Sequence, residues 1–556
     1  MEFLFYILIV VLGLVIWSIF NENTVLKRMK RDLKERWGQV PEEEYTSEKF
    51  ESLKAFYQSI MDDHLDVDDI TWNDLDMDEI YKIMNNTQSS VGEEYLYALL
   101  RKPCFSNEEL KERNRLMKFF HENEDLRIQL QMKLKQIGKL RQISVYEYMS
   151  RLGDQEAKSN FPHYLMAFGL ILSVVFIFII PQLGGVFTFL FVGNNIYRYY
   201  KRKAEIEMYF TVFAYLLRFL NHIKGIVKLD IPELRSYLET LKQDSTIFNR
   251  FKKGAGIVVS QNNSGNLFDM FLDYFRMLFH LDLIKYNSML SFFKSNRQIL
   301  QRIYINIGFL DSMIASASFR AWLVYYSEPI LTKDTNPKLR VEQLYHPLLE
   351  APVSNSINEN RSVLLTGSNA SGKSTFIKTL AINAVLSQTI YTSISKEYKA
   401  SFFIIFSSMA LRDSIFRNES YYIVEIKSLK RILDRINKDI PMLCFIDEVL
   451  RGTNTLERIA ASSRILASLA KKNTLCFAAT HDIELTYILE TYYSNYHFQE
   501  KIVEHQILFD YILYSGRAVS KNAIKLLGLL GYSQDIISAA EQAAKDFQTN
   551  GEWNKL

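Results

Sequence analysis

The chain has 556 residues, and 66 basic against 63 acidic side chains leave a formal net charge of +3. This length accommodates several domains, and so small a positive excess does not by itself indicate a nucleic-acid-binding protein. The three cysteines, Cys104, Cys444 and Cys476, are not at metal-ligand spacing and suit a reducing compartment.

An uncharged segment rich in Leu, Ile, Val and Phe runs from Phe3 to Asn21. It is long enough to cross the hydrocarbon layer of a membrane, and basic residues follow at 27–31. Because basic clusters favour the cytoplasmic side, the pattern predicts a transmembrane anchor over residues 1–22 with its N-terminus outside. A cleaved signal peptide is the alternative, although a basic start and a small-residue cleavage site are both missing.

A second uncharged stretch runs from Ser159 to Tyr197 and is interrupted by the turn-forming sequence Pro181–Gly185. Basic residues flank it on both sides, where attraction to anionic lipid would explain them. The pattern predicts a transmembrane hairpin over residues 159–197 with both ends in the cytoplasm. A pair of buried apolar core helices is the alternative interpretation.

The segments around this stretch have helical periodicity. Apolar residues recur at three- and four-residue spacing from Asn107 to Leu140, and residues 204–330 give further amphipathic helices rich in Tyr and Phe. The acidic stretch from Asp62 to Glu79 lacks the glycine and ligand spacing of a calcium loop, so it is predicted to be a solvated acidic face.

A phosphate-binding loop is predicted after the apolar strand Val363–Leu365 and before a helical pattern that starts at Phe376. Glycines in such a loop let backbone N–H groups surround an anion at a helix N-terminus. Lys373 would reach the β- and γ-phosphates of ATP, and the Ser374 hydroxyl would complete the shell of Mg²⁺. The predicted nucleotide-binding residues are Gly367, Ser368, Asn369, Ala370, Ser371, Gly372, Lys373, Ser374 and Thr375.

Two further apolar strands end in polar residues. The strand from Met442 leads into Asp447 and Glu448, and the strand from Thr474 is followed by His481. Ligands of open α/β sheets bind at the carboxyl ends of the strands, so Asp447 is predicted to serve Mg²⁺ and Glu448 to orient or deprotonate the attacking water. His481 could sense the γ-phosphate through a hydrogen bond.

These elements resemble the ATPase domain of the MutS family of DNA mismatch repair proteins. The phosphate loop is similar to that family's T-G-P-N-M-G-G-K-S-T, residues 447–455 to D-E-I-G-R-G-T-S-T, and residues 479–485 to A-T-H-x-x-E-L. Tyr345–Leu349 is similar to the phrase R-H-P-x-x that opens the domain. The resemblance implies that Lys373, Ser374, Asp447, Glu448 and His481 carry ATP binding and hydrolysis.

The resemblance also implies a homodimer in which a serine from one copy completes the ATP site of the other. Residues 417–422 align with the family's R-G-Q-S-T-F, which makes Ser420 the candidate catalytic residue in trans. Asn418 stands where the family has a glycine, and this departure predicts slow hydrolysis.

A weaker likeness covers residues 71–77 and 84–96, which resemble the start of the family's core domain, and residues 306–315, which resemble the return helix into the ATPase. The family's mismatch-recognition module is not found in the sequence. The predicted fold is therefore multidomain, a mostly α-helical core and lever with transmembrane helices followed by an α/β P-loop (ABC-type) ATPase domain. The predicted divisions are residues 1–22 (anchor), 23–158 (N-terminal part of the core), 159–197 (hairpin), 198–340 (lever and core), 341–535 (ATPase) and 536–556 (C-terminal helix and tail).

The favoured function is a membrane-anchored MutS-like ATPase that hydrolyses ATP as a dimer and acts on mismatched or branched DNA. Its predicted location is the cell membrane, with the bacterial inner membrane favoured, and the ATPase domain facing the cytoplasm. One alternative is a nucleotide-gated membrane scaffold without DNA binding. The other is an ATP-driven transporter, although the L-S-G-G-Q sequence of such proteins is missing and about three crossings are too few for a substrate path.

Overall fold

The computed structural model describes most of the chain between residues 24 and 553. The described ranges are 24–140, 143–156, 158–249, 267–334, 336–368, 371–409, 421–451, 453–503, 506–518, 524, 527, 531–551 and 553. They divide into two compact units. The helical unit takes the described parts of residues 1–61, 82–99 and 113–322, and the sheet unit takes those of residues 62–81, 100–112 and 323–556.

The described residues up to Trp322 are predominantly helical, with a short 3₁₀ turn at Pro232–Leu234. The helices in chain order are α1 (residues 24–35), α2 (Ser47–Ile60), α3 (Asp69–Asp74), α4 (Met77–Met84), α5 (Ser90–Arg101), α6 (Asn107–Glu122), α7 (Glu124–Ile137), α8 (Val145–Asp154), α9 (Phe161–Ile177), α10 (Pro181–Val227), α11 (Arg235–Ile247), α12 (Leu267–Phe279), α13 (Leu281–Ser295) and α14 (Arg297–Trp322).

Buried acids bind helix ends in the helical unit. Asp311 of α14 accepts hydrogen bonds from the backbone N–H groups of Gln88 and Ser89, where α5 begins. Glu94 of α5 accepts from the backbone N–H groups of Val145 and Tyr146 in the first turn of α8. Each carboxylate supplies acceptors for the N–H groups that a helix leaves unpaired at its start. Burial raises the pKa of Glu94 to about 7 and that of Asp311 to about 6.

The helices α9 and α10 contain the segment predicted to be a transmembrane hairpin. The 17 residues of α9 span about 25 Å, less than the ~30 Å of a hydrocarbon core. The 47-residue α10 contains Asn194 and Asn195 in its apolar part and basic residues from Arg198 onward. Within the described residues, no helix is both long enough and apolar enough to cross a membrane.

This finding makes three predictions wrong: a transmembrane hairpin over residues 159–197, a fold with transmembrane helices, and a multi-pass location in the cell membrane. The predicted lipid bilayer as a partner is not supported by the described residues. The predicted anchor over residues 1–22 lies outside the described residues. The alternative, a buried pair of core helices, does not describe the segment either. Gly184 lets α10 approach the backbone of Ile177 in α9, but outward-facing side chains such as Phe178 are exposed.

The sheet unit contains a six-stranded sheet, a four-stranded sheet and a hairpin of two strands. Its strands are β1 (Ile330–Thr332), β2 (Leu339–Leu344), β3 (Asn355–Glu359), β4 (Ser362–Thr366), β5 (Glu397–Ser401), β6 (Ile404–Ser408), β7 (Met442–Asp447), β8 (Thr474–Ala479), β9 (Tyr493–His497), β10 (Glu500–Val503), β11 (Gln506–Phe509) and β12 (Tyr514–Ser515). Its helices after β4 are α15 (Lys373–Thr389), α16 (Tyr421–Asp434), α17 (Thr455–Ala470), α18 (Ile483–Ile488) and α19 (Gln534–Asn550).

The large sheet has the strand order β12-β9-β4-β8-β7-β6, and the five strands from β9 to β6 are parallel. All residues of β4, β6 and β8 are buried, as expected for parallel strands covered on both faces. Since the strands are parallel, β4, β7 and β8 end at one edge, where the predicted site residues follow. The α/β architecture predicted for this domain is present in the sheet unit.

The acidic stretch from Asp62 to Glu79 is only partly the solvated face that the sequence predicted, because two of its acids are buried. The Asp74 carboxylate is buried and accepts hydrogen bonds from the Ser407 hydroxyl and from the Met409 backbone N–H at the end of β6. Asp66 is also buried and pairs with Lys102. Acidic composition indicated exposure, but several of these carboxylates serve as acceptors for backbone and side-chain donors of the sheet unit.

Candidate active site

The phosphate loop connects β4 to α15 in the sheet unit. Gly367 has φ +147° and Gly372 has φ +105°, conformations that side-chain-bearing residues rarely adopt. A Cβ atom at position 367 would lie 2.6 Å from the Phe498 carbonyl oxygen, so only glycine fits this close approach. Asn369 and Ala370 of the predicted loop lie outside the described residues.

Lys373 is the first residue of α15, and its side chain is directed back across the loop. Its Nζ donates hydrogen bonds to the carbonyl oxygens of Gly367 and Ser368, both at 2.8 Å. Lys373 is buried, and burial lowers the pKa of its ammonium group. Ser374 and Thr375 are exposed in the same first helical turn. A buried cation and the N-terminal end of a helix therefore meet at one point, as anion binding requires.

Asp447 is the last residue of β7. Its Oδ1 atom is buried and has no hydrogen-bond partner among the described residues. A buried, unpartnered carboxylate oxygen beside a cationic loop fits the binding of a hard cation such as Mg²⁺. The described residues contain no group of three or more His, Cys, Asp or Glu side chains that could hold a metal ion, so magnesium would also need oxygen atoms from a bound nucleotide.

Glu448 follows Asp447 and adopts a left-handed conformation, with φ +54°. One carboxylate oxygen lies 3.0 Å from Nε2 of His481, and the other is paired with the Arg451 guanidinium. Burial opposes ionisation, but the His481 hydrogen bond and the Arg451 charge together lower the pKa of Glu448. The carboxylate is consequently ionised at neutral pH and able to accept a proton.

His481 is brought to Glu448 by the pairing of β7 with β8. Cα partners run along both strands as far as Asp447 and Ala479, and the Glu448 N–H donates to the Ala479 carbonyl oxygen at 3.0 Å. The next residue, Asp482, forms a two-bond ion pair with Arg458 of α17. The structure therefore places His481 and Glu448 together, whereas the sequence predicted only that they share a sheet edge.

A cavity of about 510 Å³ adjoins the phosphate loop within the sheet unit. Lys373, Ser374 and Glu448 are among the residues that line it. Four aromatic rings also line it, those of His346, Phe376, Phe498 and Tyr511. Burial and the nearby Lys378 lower the pKa of His346 to about 4, so this ring is neutral at pH 7. The cavity thus combines a cationic side chain with aromatic rings, which suits a nucleotide.

Residues 363–548 match the family model of MutS domain V. The DNA mismatch repair protein MutS of Thermotoga maritima is 27% identical over 274 residues, which cover 47% of this chain and 34% of that protein. The MutS protein homolog 4 of Mus musculus is 32% identical over 266 residues, covering 44% and 27%. The DNA mismatch repair protein MSH3 of Candida albicans is 27% identical over 288 residues, covering 47% and 27%.

The match to MutS domain V contains the phosphate loop, the Asp447–Glu448 pair and His481. It confirms the resemblance to MutS proteins for this part of the chain. The similar region covers between 27% and 34% of the length of these curated relatives. The membrane-anchored variant that the sequence predicted is not shown by these matches.

Ser420 lies outside the described residues, as does the segment 410–419 that precedes it in the domain V match. Its predicted role in trans stays a prediction. Helix α16 begins at Tyr421, immediately after this serine.

Three site residues were missed by the sequence reasoning. Glu425 of α16 accepts hydrogen bonds from the backbone of the loop after β7. Glu500 of β10 accepts a hydrogen bond of 2.7 Å from the Ser368 hydroxyl. Arg451 pairs with Glu448. Only Arg451 had a local signal, since it lies three residues after Glu448, and the other two reach the site through tertiary contacts.

Proposed function

We propose that this chain binds ATP with magnesium and hydrolyses it as a MutS-like P-loop ATPase. The observation that supports this most directly is the placement of Glu448 and Lys373 at one edge of the sheet and in the lining of one cavity. A cradle for phosphate and an ionised carboxylate for water are the two parts that hydrolysis of a nucleoside triphosphate requires.

In the proposed reaction, Lys373 exchanges the carbonyl oxygens of Gly367 and Ser368 for oxygen atoms of the triphosphate. Glu448 orients the attacking water and accepts its proton, while His481 holds the carboxylate in place. Asp447 and Ser374 would hold magnesium, which neutralises charge on the phosphates when bound.

We further propose that two copies of the chain form the working ATPase and that Ser420 of each copy completes the site of the other. This part rests on the resemblance to MutS proteins. Action on mismatched or branched DNA is proposed because similar proteins are named for DNA mismatch repair. The whole activity remains a proposal, since the similarity covers a minor part of those proteins.

Replacing the lysine tests the nucleotide site. Lys373→Ala should weaken the binding of a fluorescent ATP analogue in the presence of magnesium by at least about a hundredfold, because a buried cation that contacts phosphate is lost. Lys430→Ala is the matched control, since Lys430 is an exposed residue of α16 that pairs with Asp434. Equal affinity for the Lys373→Ala variant and the wild type would exclude the proposed cradle.

Binding to DNA is tested separately with homoduplex, mismatched and branched DNA over a salt series, with and without ATP. The proposal expects tighter binding to mismatched or branched DNA than to homoduplex, and a dependence on ATP. Equal and weak affinity for all three would contradict the DNA part while leaving the ATPase part intact.

A further inference from the structure

The Glu425 carboxylate is held against the loop that follows β7. It belongs to α16, and the residue is only 4% exposed. One oxygen accepts a hydrogen bond from the Leu450 backbone N–H, and the other accepts from the Arg451 N–H at 3.1 Å. Both oxygens of a nearly buried acid are therefore committed to the backbone of residues 450–451.

The loop that Glu425 binds has a strained backbone. Glu448 has φ +54° and Leu450 has φ +60°, although neither is a glycine. Such a conformation is unfavourable for a residue with a side chain and persists only where the surroundings hold it. The Val449 carbonyl oxygen accepts from the Ser462 hydroxyl, and the Glu448 N–H donates to Ala479. The hydrogen bonds to Glu425 fix the remaining part of the loop, next to Arg451.

Burying the ionised carboxylate of Glu425 at this position is energetically unfavourable. Burial raises the pKa of Glu425, and the negative charge of Glu448 adds to this, while the two backbone N–H groups and the positive charge of Arg451 oppose the shift. An apolar side chain would avoid both costs. The carboxylate accepts one hydrogen bond from the Leu450 N–H and one from the Arg451 N–H, which an apolar side chain could not do. The Arg451 guanidinium in turn contacts Glu448.

We infer that Glu425 is a positioning residue that holds Arg451 and Glu448 in the geometry needed for water activation. This inference rests on the proposed ATPase function. Among the described residues, Glu425 is not part of the cavity lining, and its carboxylate accepts hydrogen bonds from the loop after β7, so its effect on turnover passes through that loop. A misplacement of about 1 Å at a catalytic group can slow a reaction by about a hundredfold.

The test compares Glu425→Gln with the wild type in single-turnover ATP hydrolysis. The amide retains the shape of the side chain but sets an NH₂ group against one of the two backbone N–H donors. We expect the rate to fall by about tenfold to a hundredfold, with the dissociation constant for ATP unchanged within about threefold. Asp434→Asn is the control, because it makes the same chemical change at an exposed position of α16.

A double-mutant cycle separates positioning from a purely structural role. If Glu425 acts through Glu448, then Glu425→Gln should lower the residual rate of a Glu448→Gln enzyme by less than about twofold. An equal loss in both backgrounds, or a parallel loss of ATP affinity, would overturn the inference. Glu425→Asp, which keeps the charge, should hydrolyse ATP faster than Glu425→Gln. A rate no higher than that of the glutamine variant would also contradict the positioning role of Glu425.

The wild-type enzyme distinguishes the two proposals. Hydrolysis by the wild type with an unchanged rate in Glu425→Gln would refute only the role of Glu425. Absence of both ATP binding and hydrolysis in the wild type would refute the proposed function together with this inference. Thermal denaturation of each variant checks that a lost rate does not come from unfolding.

Discussion

Under the proposed function, replacing Glu448 by glutamine should separate ATP binding from ATP hydrolysis. The glutamine keeps an acceptor oxygen for His481, whose Nε2 lies 3.0 Å away, but it cannot take a proton from water. A general base contributes about 10² to 10⁴ in rate, so the barrier to hydrolysis should rise by about 3–5 kcal/mol.

The other consequences of Glu448→Gln are small by comparison. The lost ion pair with Arg451 is partly exposed, since the two side chains are 43% and 22% accessible, so it contributes at most about 1 kcal/mol to stability. Loss of a negative charge near the triphosphate should leave ATP affinity unchanged or slightly tighter.

The assay is single-turnover hydrolysis of radiolabelled ATP alongside equilibrium binding, with Asp434→Asn as the control for charge removal. The expected result is a hydrolysis rate lower by at least a hundredfold with retained binding. A rate within about threefold of the wild type would refute the assignment of Glu448 as the base.

Three further predictions follow from contacts outside the reacting groups. Glu500→Gln should tighten ATP binding about twofold to tenfold, because a negative charge beside the phosphate loop is removed while the glutamine can still accept the hydrogen bond from Ser368. Titration with ATP at low and high salt measures the change in affinity, and weaker binding by the variant would contradict the prediction. Asp74→Ala should lower the free energy of unfolding by about 2–5 kcal/mol, because the buried Ser407 hydroxyl and Met409 N–H lose their acceptor. Urea denaturation measures this change, and a loss of less than about 1 kcal/mol would contradict the prediction. Burial raises the pKa of Glu94 to about 7, above its value in the unfolded chain, so its contribution to stability is lost as pH rises from about 4.5 to 7. Glu94→Gln should flatten this pH dependence of stability by up to about 3 kcal/mol. Parallel curves of unfolding free energy against pH for the variant and the wild type would refute the assignment.

The strand, loop and helix around Lys373 could be predicted because the sequence patterns that specify them lie within a few neighbouring residues. Glycines at positions 367 and 372 stand where the backbone has positive φ, and Asp447 ends a buried strand. The sequence could also place His481 at the same edge, since parallel strands end together. Its 3.0 Å contact with Glu448 depends on the pairing register of β7 and β8, which the sequence did not specify.

The predictions that were wrong or missing concern features that depend on helix length or on contacts between residues distant in sequence. Hydropathy across residues 159–197 suggested two membrane crossings, but α9 ends at Ile177 and α10 contains paired asparagines and then basic residues. Composition suggested that Asp74 is solvated, yet it serves donors more than 330 residues away in sequence. Glu425 was missed for the same reason, because a glutamate on a helix gives no sign of what it binds.

The contact of α3 with β6 has a consequence for attempts to isolate the region that matches MutS domain V. A fragment that starts near Leu323 would retain the six-stranded sheet but would lack residues 62–81 and 100–112, which belong to the same compact unit. The Ser407 N–H and hydroxyl and the Met409 N–H would lose their acceptors on Thr71 and Asp74. Such a fragment would present an incompletely paired strand edge prone to aggregation, and supplying the earlier segment as a separate peptide or by a linker should restore its solubility.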